Sequence, residues 1–171
     1  MIRFFTLFVA VVTALFAAQL TPPVQTGFVL PFTSVIAWVS ATLMQMWDDQ
    51  VMAQGKLIWD AASGFAVSIE AGCNGVEAGI VLVGAMLAFP ATWREKLIGI
   101  AVGMFTVQAL NLLRIVTLFY LGQWNETWFE WAHLYLWQAL IMLDVLAVFL
   151  FWLRWLTARR QSAAVQAEAI P

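Results

Sequence analysis

The stretch LIGIAVGMFTVQALNLLRIVTLFYL, Leu97 to Leu121, carries a single charged residue in 25 positions. A helix that crosses a membrane needs about 20 consecutive, mostly apolar residues, and this segment meets that length. The rest of the chain has the same texture. Of 171 residues, 63% are hydrophobic, 11% are charged and ten are tryptophan, with a mean hydropathy of +0.86. Soluble domains carry about 45–50% apolar and about 25% charged residues. The composition excludes a soluble domain with a large core and predicts an integral membrane protein.

Four further stretches compete for the same role: Phe4–Leu20, Phe28–Met46, Val76–Pro90 and His133–Leu153. Together the five predict an all-α polytopic membrane protein with about five transmembrane helices, in one domain over residues 1–160. Residues 161–171 are small and polar and read as a disordered cytoplasmic tail. The first stretch reads as an uncleaved helix, because Leu20-Thr21-Pro22-Pro23 is a poor signal-peptidase site and only Arg3 precedes the apolar run. The second is the weakest span, since Pro31, Thr33, Ser34, Ser40, Thr42 and Gln45 interrupt it.

Basic residues collect in short cytoplasmic loops. Arg94, Lys96, Arg154, Arg159 and Arg160 fall on one side, which is therefore read as cytoplasmic. The other side holds Asp48, Asp49, Asp60, Glu70, Glu126 and Glu130 against Lys56 alone, with Trp124, Trp128, Trp131 and Trp137 as an interfacial belt. This orientation raises a parity problem. Residues 47–72 must lie outside, so two full helices before them would put the N-terminus outside, while Arg3 favours it inside. Five full spans are the preferred reading; a re-entrant or interfacial second stretch is the alternative. Within residues 51–70, turn residues Asp60–Gly64 separate two short, partly alternating runs, which predicts an extracytoplasmic β-hairpin.

Against this background three polar residues are out of place. Cys73, the one cysteine, precedes the third apolar stretch between Gly72 and Gly75. Helix N-termini stabilise thiolates, though cysteine is also a common small buried hydrophobe. Ala71-Gly72-Cys73 imitates a lipoprotein cleavage box, but it lies too far into the chain and Glu70 stands where an aliphatic residue belongs. Arg114 sits inside the fourth apolar stretch, seven residues or about 10 Å below its outer end at Leu121. A charge in the bilayer core costs about 2.5–3.5 kcal/mol, which snorkelling recovers in part. Asn111, one turn earlier, shares its face. His133, the one histidine, opens the last stretch at the outer level. Thiol, imidazole and guanidinium are the groups that cysteine acyl transfer uses, as nucleophile, general acid/base and oxyanion partner. Glu77, four residues after Cys73, shares its helix face and has two readings: orienting His133, or a structural hydrogen bond. Asp144 is expected to pair with Gln108 at depth, or else to serve a proton path. One cysteine and one histidine fall short of the three or four ligands that zinc takes, so no metal and no cofactor are expected. No Gly-x-Ser-x-Gly elbow is present to support a serine nucleophile. No basic run suits nucleic acid, and a lone cysteine rules out an internal disulfide.

Cys73-Asn74-Gly75, Asn111-Leu112-Leu113-Arg114 and His133 resemble the Cys-x-Gly, Asn-x-x-Arg and His signature of the exosortase/archaeosortase family, over roughly residues 50–155. CNGVEA, AFPATWR and FEWAH look most like the exosortase H branch. The resemblance implies a cysteine transpeptidase of the inner membrane of Gram-negative bacteria, facing the periplasm. Its partners would be secreted proteins bearing a C-terminal sorting signal: a short motif, an apolar helix and a basic cluster. In the H branch that motif resembles Ile-Pro-Thr-Leu; in others it is Pro-Glu-Pro. Cys73 would be the nucleophile, Arg114 the oxyanion stabiliser and His133 the general acid/base, with Asn111 and Glu77 supporting. Asn74 stands where other branches carry serine or alanine. The 51–70 hairpin is a candidate wall for the motif's groove. The competing class is a non-catalytic membrane subunit or small transporter with a polar pathway along Asn111, Arg114 and Asp144.

Overall fold

A computed structural model describes residues 2–168. All five apolar stretches are helical. The element order is α1 (Ile2–Gln19), α2 (Pro22–Val24), a π-helical turn (Gln25–Val29), α3 (Leu30–Met44), β1 (Val51–Gln54), β2 (Leu57–Asp60), β3 (Ala66–Ser68), α4 (Val76–Ala88), α5 (Trp93–Trp124), α6 (Glu126–Trp131), a second π-helical turn (Ala132–Leu136) and α7 (Trp137–Glu168). Four helical segments are long and apolar enough to cross a membrane: Ile2–Gln19, Pro22–Met44, Trp93–Trp124 and Glu126–Ser162. The shorter Val76–Ala88 is also apolar. Exposed Phe5, Phe105, Leu140 and Phe151 face outward from the bundle, as lipid-facing side chains do. The chain is a multi-pass membrane protein.

Side-chain contacts give each helix a direction. Gln19 at the end of α1 donates to Glu77 at the start of α4 (2.8 Å), and Phe4 packs edge-on against Phe89. α1 and α4 are therefore antiparallel. α4 and α5 form an antiparallel hairpin in which Gly75 lies against Gln108 and Gly79 against Met104. α5 and α7 are antiparallel as well, with Gly99 against Trp152 and the Trp152 indole donating to the Glu95 carbonyl. Lipid gives apolar helices little reason to associate, so close backbone approach at small residues supplies the packing. Gly79, Gly84, Gly99 and Gly103 serve this role, each facing a side chain that a Cβ would crowd. The turn between α4 and α5 is secured by a capping box: Thr92 accepts from the Glu95 amide, and Glu95 accepts from the Thr92 amide.

These directions address the parity problem. α1 starts at the Phe89 end of α4 and finishes at its Glu77 end, so Arg3 and the Arg94–Lys96 loop share a face. The Pro22–Met44 segment begins on the opposite face, where Gln25 bonds the Gln19 carbonyl. It remains there: Thr33 accepts from Asn74, and Ile36, Ala37, Ala41 and Met44 pack on the β-sheet residues Val51 and Ile58. These contacts favour the re-entrant or interfacial reading of the second stretch.

The expected hairpin is a three-stranded antiparallel meander, β1-β2-β3. The additional turn is Gly55-Lys56, which closes the Gln54–Leu57 pair with Gly55 at φ +58°. A two-residue hairpin loop with glycine first needs that positive φ. Val51, Ile58 and Ile69 are buried under the sheet against α3 and α5. Each contributes about 1.5–3 kcal/mol by leaving water. The tail expected to be disordered from Gln161 continues α7 as far as Glu168, because Gln161–Glu168 contains no helix breaker and is rich in alanine. Residues 169–171 of that tail lie outside the described residues.

One topology follows from the contacts. Reporter tags at the N-terminus and at Ala91 are expected on the same side of the membrane, and a tag at Asp49 on the opposite side. Protease protection or impermeant-reagent labelling of inverted and right-side-out vesicles measures this. An N-terminal tag on the Asp49 side would contradict the antiparallel α1–α4 pair.

Candidate active site

The segment from Ile69 to Gly75 turns the chain from β3 into α4. Cys73 N–H bonds the Glu70 carbonyl (2.9 Å), and Gly72 and Gly75 take φ of +83° and +76°. Side chains with a Cβ rarely adopt that region. At Gly75 a Cβ would also meet the Gln108 amide nitrogen at 2.6 Å. Asn74 ties the segment down. Its Oδ1 accepts from the Val76 amide, and its Nδ2 donates to Thr33 of α3, both at 3.0 Å. Asparagine side chains commonly bond the backbone two residues on, closing an Asx turn. In the sequence Asn74 stands out only as a departure from a motif, and its place two residues before an apolar helix is the signal for this turn.

The turn delivers Cys73 to two other side chains. Cys73 Sγ lies 2.9 Å from His133 Nε2. Arg114 donates through Nη1 to the Gly72 carbonyl at 3.0 Å and through Nη2 to Cys73 Sγ at 3.5 Å. Arg114 is only 3% exposed, and the one ion pair among the described residues, Lys56–Glu70, lies elsewhere. A guanidinium stays protonated in proteins, so this site holds a buried positive charge with no carboxylate on it. His133 belongs to the π-helical turn that joins α6 to α7, and its ring stacks on Phe129 at 5.6 Å. π-Turns often mark functional positions. In the sequence only the place of Phe129, four residues or one helical turn before His133, marks it.

Burial pushes the Cys73 thiol above its ordinary pKa; the Arg114 charge opposes this, and Glu77 and Glu70 add to it. The resting sulfur is therefore mostly protonated at neutral pH. The group placed to take its proton is His133.

The remaining candidates are placed as follows. Glu77 accepts from Gln19, and no hydrogen bond joins it to His133 among the described residues. Asn111 is fully buried, and neither its Oδ1 nor its Nδ2 has a partner among the described residues. The expected Asp144–Gln108 bond is absent: both Gln108 polar atoms and Asp144 Oδ2 lack partners among the described residues. Gln108 instead lies against Gly75, where the missing Cβ leaves room for its side chain.

Cys73 alkylation by a small neutral reagent is expected to accelerate with rising pH. Arg114→Ala should move that profile to higher pH, because it removes the charge that favours thiolate. Glu77→Gln should move it the opposite way. Rates followed by mass spectrometry from pH 6 to 10 measure both, and coincident profiles would remove the electrostatic link. Gly75→Ala should lower the thermal midpoint in detergent more than Gly72→Ala. Both substitutions carry the positive-φ cost of about 1–2 kcal/mol, but only Gly75 also crowds Gln108.

The model of the family described as Transmembrane exosortase (Exosortase_EpsH) matches residues 2–152. No curated protein and no solved structure matches the chain. The match runs from α1 through the first half of α7 and spans Cys73, Arg114 and His133, and on that extent the chain belongs to the transmembrane exosortase family.

Proposed function

We propose that the chain is a membrane-embedded cysteine peptidase and transpeptidase that cleaves C-terminal sorting signals of secreted proteins. The observation that carries this reading is the 2.9 Å approach of Cys73 Sγ to His133 Nε2 beside the unpaired Arg114 guanidinium. In the proposed reaction His133 Nε2 accepts the thiol proton as Cys73 Sγ attacks the scissile carbonyl. The carbonyl oxygen becomes an oxyanion, and Arg114 offers it the positive charge that already lies beside the sulfur. Collapse of the intermediate forms a thioester and expels the amine, which takes the proton back from His133. A second nucleophile then releases the product. Water would make the reaction a hydrolysis; an amine or a glycan hydroxyl would make it a transfer.

The substrate class accords with the depth of the site. A sorting-signal helix with its basic end inside the cell places its preceding motif at the outer boundary. The positive-inside rule favours a cytoplasmic Arg94–Lys96 loop and Arg159–Arg160, with the thiol toward the opposite face; the family resemblance makes that face the periplasmic side of an inner membrane. CNGVEA and FEWAH favour the exosortase H branch and an Ile-Pro-Thr-Leu-like motif. The polar-pathway alternative draws less support, because the Arg114 hydrogen bonds go to the thiol loop and not toward Asp144.

The test is co-expression with an epitope-tagged substrate ending in motif, apolar helix and basic cluster. Cys73→Ala should abolish processing. His133→Ala should slow it about 100- to 10,000-fold, as loss of general acid/base catalysis does. Arg114→Ala should slow it about 100- to 1,000-fold, the usual effect of losing an oxyanion donor. Tail removal that continues at the wild-type rate in Cys73→Ala would end the enzymatic reading.

A further inference from the structure

The free edge of β3 has a groove beside it. β3 pairs with β2 on one side only. Asp60 N–H bonds the Phe65 carbonyl, Ile69 N–H bonds the Lys56 carbonyl (both 2.9 Å), and Val67 stands opposite Ile58. Main-chain groups alternate in an antiparallel ladder. Those of Phe65, Val67 and Ile69 thus point to β2, and those of the exposed Ala66 and Ser68 point outward. Natural sheets usually blunt such an edge with charge, proline or a covering segment. Ala66, Val67 and Ser68 include neither charge nor proline. The opposite edge differs, because Gln45 covers the Val51 carbonyl of β1.

Along the β3 edge runs a cavity of about 520 Å³, walled by Phe65–Ser68 on one side and Gly122, Glu126 and Phe129 on the other. Phe129 is the same ring that stacks on His133, whose Nε2 meets Cys73 Sγ. Phe129 thus borders both the groove and the candidate active site. We infer that the β3 edge is a strand-addition site for an extended polypeptide, which lies in this groove as a fourth strand and presents its scissile bond to Cys73. The Ala66 and Ser68 main-chain groups supply the hydrogen bonds. The inference rests on the proposed reaction for its substrate, but docking itself needs no turnover.

Two experiments separate docking from chemistry. Proline at Ala66 or Ser68 removes an outward-facing donor and leaves the β2–β3 ladder intact, since an edge strand tolerates proline there. Ala66→Pro and Ser68→Pro should each lower processing of the tagged substrate at least tenfold, with unchanged alkylation of Cys73. Ser68→Ala should process normally. The second experiment uses the Cys73→Ala, Ser68→Cys protein with substrates carrying single cysteines at successive positions before the cleavage site. Strand pairing should give disulfide cross-links at alternate positions, because alternate side chains share a face. Uniform cross-linking, or none, while wild type processes the substrate would overturn the docking site. Alternating cross-links with no processing by wild type would retain the docking site and remove the reaction. Neither cross-links nor processing would remove both.

Discussion

A guanidinium inside an apolar helix must find hydrogen-bond acceptors, and in this molecule that requirement organises the site. Arg114 is 3% exposed and forms no ion pair with a carboxylate among the described residues. Snorkelling predicts that the side chain rises to the membrane surface. In the structure the thiol segment lies against the side chain. It precedes a short helix: the 13 residues of α4 extend about 20 Å, against a hydrocarbon core of about 30 Å. The Gly72 carbonyl and Cys73 sulfur are the acceptors that Arg114 uses.

The two other segments of the site follow from helix register. Glycines hold α4, α5 and α7 close enough that each contact fixes the next. Gly99 against Trp152 and Gly103 against Val148 set α7 antiparallel to α5. Continued along both helices, that register puts His133 about level with Leu118, one turn beyond Arg114. Gly75 against Gln108 puts Cys73 about level with Leu110, one turn before it, so Arg114 lies between the two. A substitution that widens any of these contacts would reach the site without touching it. The π-helical turn at Ala132–Leu136 adds a local adjustment, letting His133 turn toward the sulfur while α7 keeps its packing on α5.

Much of this was legible in the sequence, because apolar length and misplaced polar residues are strong signals. The five helical stretches and the trio Cys73, Arg114 and His133 stood out for that reason. What the sequence concealed depends on packing. The Gly55-Lys56 turn lies inside a run that reads equally well as one strand. The direction of α1 is set by Gln19 meeting Glu77, a contact between residues 58 positions apart. Gln108 turned to Gly75 rather than Asp144 because a missing side chain offered space, and no periodicity encodes that. Gln161–Glu168 has the polarity of a disordered tail and also the alanines of a helix.

The electrostatics of the site connect its structural cost to its proposed use. Burial and two nearby carboxylates keep the Cys73 thiol above its ordinary pKa, against the pull of Arg114. With the sulfur protonated, the guanidinium has only a carbonyl and a neutral thiol for company. Desolvating a charge under those terms is unfavourable. The arrangement becomes favourable only when negative charge develops next to it. In the proposed reaction that happens twice, on the sulfur during attack and on the substrate oxygen afterwards. A site least satisfied at rest and best satisfied in the transition state has the differential complementarity that catalysis requires. Asn111, buried one turn from Arg114, carries a similar cost at rest, since neither of its polar atoms has a partner among the described residues.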